Sequence, residues 1–173
     1  YTSLSGIFDA QILDIDGDNK NDLVYVLSGA NQMVFRKNIG VQGTFDASVF
    51  GAAVIYVTSS SPTKMTIRDF DRDGKNDIAI TNQSTSSLSI YKNNVVGNTI
   101  TGTSFSSFTI NSLSNPYGIV SADVDGDGRL DLVHSSYTSA FIGVNRNIST
   151  VGGLSAASFA PTISYPAQNG VYG

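Results

Sequence analysis

The sequence predicts an all-β fold: β-propeller blades of four antiparallel strands each, in three repeats of about 55 residues that form part of a larger propeller. Three observations carry this. An aspartate-rich nonapeptide recurs at Asp14–Asp22, Asp69–Asp77 and Asp123–Asp131, so its starts lie 55 and 54 residues apart. A second marker, a basic residue followed by Asn, ends at Asn38, Asn93 and Asn147 and keeps the same two spacings. Each period also holds about four short apolar or β-branched runs, joined by Ser-, Thr-, Gly- and Asn-rich stretches such as Asn82–Ser87 that suit tight turns. No amphipathic helical stretch of useful length interrupts them.

Within a period the elements follow in order. One run precedes the aspartate loop, as Lys64–Ile67 does. A second follows it at Leu23–Leu27, Ile78–Thr81 and Leu132–His134, each short enough and apolar enough for a buried strand. A third ends at the basic–Asn marker: Val34–Asn38, Ser89–Asn93 and Gly143–Asn147. The fourth lies near a phenylalanine. Phe105 and Phe159 each stand twelve residues after their Asn, whereas Phe45 stands seven after Asn38, a difference that loop length is expected to absorb. Tyr117-Gly118 recurs as Tyr172-Gly173. The predicted repeats are therefore 1–55, 56–110 and 111–165, with 166–173 opening a fourth. Closed propellers need about four to eight blades, so the chain is expected to continue with further repeats or to assemble with copies of itself.

The three nonapeptides hold twelve of the fourteen acidic residues, all of them Asp. Four carboxylates in nine residues repel one another unless a cation sits among them, and hard oxygen donors in this number suit Ca²⁺ better than Mg²⁺ or a transition metal. Positions one, three and five resemble an EF-hand loop, and position seven would supply a backbone carbonyl. The bidentate Glu of an EF-hand is absent: Tyr25, Ile80 and His134 stand at position twelve, and Asp occupies position nine instead. The expected ligands are Asp14, Asp16, Asp18 and Asp22 with the Lys20 carbonyl; Asp69, Asp71, Asp73 and Asp77 with that of Lys75; and Asp123, Asp125, Asp127 and Asp131 with that of Arg129. Asn19, Gly74 and Gly128 at position six tolerate the left-handed backbone that a wrapped loop needs. Ile15, Phe70 and Val124 at position two, and Leu23, Ile78 and Leu132 at position ten, are expected to pin the loops to the core.

The run Asp123–Leu132, preceded by Tyr117-Gly118 and followed by a strand, resembles the FG-GAP or VCBS repeat of integrin-alpha-like β-propellers, and the segment Asn145–Pro161 is similar to repeats of bacterial secreted and surface proteins. The resemblance implies a propeller of about seven blades carrying one Ca²⁺ in each of the three loops, on the ligands named above. It also implies a role in adhesion, in recognition of a protein or carbohydrate ligand at the cell surface, or as the accessory or structural domain of a larger secreted enzyme. Asn19 and Arg72 depart from the glycine usual at their positions without replacing a carboxylate.

Composition agrees with an extracellular module. Cysteine is absent, so neither disulfides nor thiol chemistry contribute. At extracellular calcium levels a weak site adds about 0.5–1.5 kcal/mol by mass action, and three such sites take a comparable stabilising role. The ten basic residues are scattered, which gives no nucleic-acid footprint, and no run approaches a membrane span. Catalysis is not expected: His134 is the single histidine, no nucleophile elbow is present, and Asp9 and Asp46, the only acids outside the loops, read as turn or surface residues. Most aromatics recur at repeat positions and read as core, and the glycosylation patterns at Asn82 and Asn147 read as coincidence.

Overall fold

The computed structural model describes residues 6–167, and within them the backbone forms twelve strands, two 3₁₀ turns and no α-helix. The first sheet contains β1 (Ile7–Leu13), β2 (Asp22–Leu27), β3 (Gln32–Asn38) and β4 (Phe50–Val57). The second contains β5 (Pro62–Arg68), β6 (Asp77–Asn82), β7 (Ser87–Asn93) and β8 (Phe105–Asn111), and the third β9 (Pro116–Ala122), β10 (Asp131–Ser136), β11 (Phe141–Asn145) and β12 (Ile163–Pro166). Strand order in every sheet is sequential and antiparallel, the meander of a propeller blade. The sequence motifs Tyr172-Gly173 and 168–173 lie outside the described residues.

The second blade is sandwiched between the other two. One apolar cluster joins Val24, Val26, Met33 and Phe35 of the first blade to Ile67, Ile78, Ile80 and Phe105 of the second. Another joins Phe70, Leu88 and Ile90 of the second to Ile119, Leu132 and Phe159 of the third. Burial follows from this stacking: β6 is buried at all six positions, while β2, covered on one face, alternates buried and half-buried residues. The phenylalanine before the fourth strand packs across the boundary, Phe105 stacking on Phe35 at 4.9 Å and Phe159 meeting Phe70 edge-on at 6.2 Å.

Two sequence expectations are corrected here. Phe45 is not the first blade's counterpart of Phe105, being 89% exposed; Phe50 is, twelve residues after Asn38 and paired with it as Phe105 is with Asn93. The first repeat therefore keeps the common loop length. Val124 does not pin its loop, because its side chain is 57% exposed whereas Ile15 and Phe70 are buried under the following blade.

Candidate metal centres

Each aspartate loop connects the first strand of a blade to the second, and its first carboxylate winds it. Asp14 accepts the Gly17 and Asn19 amides at 2.7 and 2.8 Å, Asp69 accepts those of Asp73 and Gly74, and Asp123 those of Gly126 and Gly128. The resulting turn places position six in the left-handed region, with φ of 65° at Asn19, 87° at Gly74 and 81° at Gly128. Position four is left-handed too, at Gly17, Arg72 and Gly126. For Arg72 that backbone costs about 1–2 kcal/mol, offset in part by its guanidinium reaching the Ser149 carbonyl of the next blade at 3.2 Å.

The winding gathers carboxylate oxygens. Those of Asp14, Asp16 and Asp18, of Asp69, Asp71 and Asp77, and of Asp123, Asp125 and Asp127 each lie within 4.8 Å of one another. At position seven the structure shows the amides engaged: those of Lys20, Lys75 and Arg129 each donate at 2.9 Å to the position-five carboxylate. Their side chains tie the loop to the segment beyond the third strand, Lys20 to the Gly40 carbonyl, Lys75 to that of Val95 and Arg129 to that of Asn147.

Position nine has a second task that spacing did not reveal. Asp22 accepts the amides of Ile15 (3.2 Å) and Asn38 (2.8 Å); Asp77 accepts those of Phe70 (3.0 Å) and Asn93 (2.9 Å); Asp131 accepts those of Val124 (3.0 Å) and Asn147 (2.8 Å). Every one of these carboxylates is buried and bridges its loop to the end of the third strand or the Asn that follows it. Burial pushes Asp77 up to about 7 and raises Asp22 as well, against the lowering effect of the two amides.

Cations already meet the remaining carboxylates, and these were missed in the sequence although the basic–Asn marker carried them. Lys37 pairs with Asp16 and, at 2.7 Å, with Asp18; Lys92 pairs with Asp71 and, at 3.3 Å, with Asp73. Burial lowers both ammonium pKa values, and the paired carboxylates outweigh it and hold them above the ordinary lysine value. In the third blade Arg146 takes Asp125 at 2.5 Å and Asp127 at 2.9 Å, and Arg129 also pairs with Asp127.

The loops sit at blade boundaries. The Asn93 side chain donates to the Ile15 carbonyl of the preceding loop at 2.9 Å, and Asn147 donates to the Phe70 carbonyl at 2.8 Å. Both glycosylation-pattern residues, Asn82 and Asn147, are therefore committed to buried hydrogen bonds. Asp46 caps a turn through Ser48, as expected of it. Asp9 does not: it lies on β1 and bridges blades, accepting the Met65 amide at 2.9 Å beside Lys64. His134 is buried, its Nε2 3.1 Å from the Asn145 Oδ1.

These donors fit a hard cation. The Asp71 carboxylate is fully buried and Lys92 meets its Oδ2, yet its Oδ1 accepts no hydrogen bond, which leaves a buried acceptor free to meet a cation. All the converging atoms are oxygens, the donor set of Ca²⁺ and Mg²⁺ rather than of zinc or copper. Among the described residues no helix is long and apolar enough to cross a membrane. A family model described as an FG-GAP-like repeat matches residues 14–80 and again 69–134, each match opening on a position-one aspartate. No curated protein matches the chain.

Proposed function

The chain belongs to the FG-GAP-like repeat family, and from that membership we propose that it is an extracellular, calcium-stabilised propeller module, non-catalytic, that serves adhesion or the recognition of a protein or glycan ligand. The observation that carries the calcium reading is the buried, undonated Asp71 Oδ1 inside a cluster of aspartates that recurs in each blade. Asp14, Asp16 and Asp18, their counterparts in the other loops, and the position-seven carbonyls and position-nine carboxylates would hold the ion. Bound Ca²⁺ supplies charge compensation and fixes the loops; the aspartates orient it, and the blade loops present the binding surface. A groove of about 440 Å³ along β1, β5, β9 and β10, mainly apolar with Asp9, Gln11 and Lys64 among its lining, suits a peptide or the apolar face of a sugar.

The alternative, a structural or accessory propeller domain in a larger secreted protein, is favoured by one observation: both end faces of the array are apolar and exposed. Calorimetric titration of the chelated protein is expected to find three Ca²⁺ sites, and Mg²⁺ at equal concentration is expected not to displace the ion. Fewer than three sites would remove the one-ion-per-loop reading. A glycan and peptide array probed with and without Ca²⁺ then separates the two roles, since specific calcium-dependent capture belongs to recognition and silence from a folded, calcium-loaded protein to the structural role.

A further inference from the structure

The geometry points to a cation locus in each of the first two loops that spans two blades and has a resident occupant: the ammonium of Lys37 or Lys92 engages the position-three and position-five carboxylates that would also hold Ca²⁺. The inference rests on the calcium reading above. Lys92 Nζ lies against the carboxylates of Asp71 and Asp73 and, at 3.1 Å, against the carbonyl oxygen of Gly152 in the next blade. Lys37 Nζ repeats this with Asp16, Asp18 and the Asn98 carbonyl at 2.7 Å. Asn98 and Gly152 are 54 residues apart and both left-handed, with φ of 55° and 68°, so the same backbone oxygen is turned toward the preceding loop in both blades.

An ammonium gathering three oxygens from two blades is a monovalent stand-in for a harder ion. The Lys92 side chain is only 16% exposed and that of Lys37 30%, and the carboxylates beneath them, Asp71 and Asp16, are fully buried. At the first boundary a cleft of about 370 Å³ opens between Asp14, Asp16 and Gly17 on one side and Gly74, Asn76 and Val95 on the other, giving a divalent ion a way in. The third loop differs. It carries arginines in place of a lysine, Arg146, half exposed, on Asp125 and Asp127, and Arg129 on Asp127. Calcium at the first two loops therefore replaces an internal staple rather than filling a bare cluster, and the next blade's carbonyl is available to whichever cation is present.

The test is calcium titration and thermal unfolding of the wild type, Lys92→Met and Lys37→Met, with Arg36→Met as a control whose guanidinium reaches the Gly51 carbonyl within its own blade. Removing the competing charge is expected to tighten one of the three binding steps by about tenfold in each loop variant. In chelator the same variants are expected to melt several degrees below the wild type, with calcium restoring them; the control should leave the calcium steps unchanged and gain no extra stability from calcium. Unchanged or weakened calcium steps in both variants would overturn the proposal. If Lys92→Met fails to fold without calcium but folds with it, the staple is upheld, and Lys92→Gln and Lys37→Met carry the affinity comparison. If neither wild type nor variants bind Ca²⁺, the calcium reading fails, while the chelator melting still decides whether the lysines staple the blades.

Discussion

A carboxylate that accepts two buried amides cannot become a methyl group without leaving both amides undonated, and each such loss costs about 1–3 kcal/mol. Asp77 holds the Phe70 and Asn93 amides in this way. Asp77→Ala is expected to lower stability by about 2–6 kcal/mol already in chelator, whereas Asp73→Ala, whose carboxylate shares Lys92 with Asp71 near solvent, should cost less in chelator and more when calcium is bound. Urea unfolding in both conditions checks this; a loss at Asp77 confined to calcium would reduce it to a ligand and nothing more. The nonapeptide spacing made the twelve loop aspartates legible as one constellation but hid the division of labour among them. The Asp77 partners lie 7 and 16 residues away, and the second is brought near only by the β6–β7 hairpin, so no local pattern encodes it. The lysines were legible as a repeated marker, yet their reach across the hairpin into the loop is a tertiary fact.

At the scale of the element, the β10–β11 hairpin shows how one blade absorbs an irregular residue. A Cβ at Gly143 would overlap the His134 ring, so glycine there lets the imidazole lie over its partner on the neighbouring strand. The Asn145 amide donates to the Ala160 carbonyl and the Thr162 hydroxyl, which turns its Oδ1 toward His134 and makes Nε2 the protonated nitrogen. Nδ1 is buried without a partner, and burial holds the His134 pKa below its ordinary value. The unfolded chain therefore takes up a proton that the native state resists. This contribution is fully present above about pH 6.5 and lost as pH falls below it. Relative to His134→Gln, the wild type should lose stability between about pH 7 and pH 5.5, the aspartates cancelling in the comparison; parallel curves would mean that the histidine charges freely in the fold. The four strands of each blade were readable from their apolar runs, and the aspartate loops from their spacing. The fourth strand of the first blade was not aligned correctly, because Phe45 and Phe50 both lie near the expected place and only the pairing of Asn38 with Phe50 decides between them.

Across the whole molecule, equivalent residues differ sharply with blade position. Ile67 in the second blade is fully buried while Ile12, its counterpart 55 residues earlier, is 61% exposed; Tyr56 is 8% exposed while Tyr165 in the third blade is 52% exposed. Interior faces are covered by a neighbouring blade, and end faces carry the same kind of side chain without one. The 173-residue chain by itself is expected to self-associate through these faces, and Ile12→Lys or Tyr165→Lys to reduce the association seen by light scattering. A monodisperse 18.2 kDa monomer at every concentration would sink this expectation. The side-chain amides at the boundaries add a consequence of their own. Each blade's Asn reaches back to its predecessor's loop, Asn93 to the Ile15 carbonyl and Asn147 to that of Phe70, while Lys37, Arg72 and Lys92 reach forward to the carbonyls of Asn98, Ser149 and Gly152. The two faces of a boundary are thus unlike, one offering side-chain amides and the other loop cations, as in a row of hooks and eyes. Two copies meeting first face to first face would set amide against amide and leave the cation contacts unmade. Growth of this array is vectorial, and any contact between copies that uses these ends must be heterologous, closing into a ring or running on as a helix.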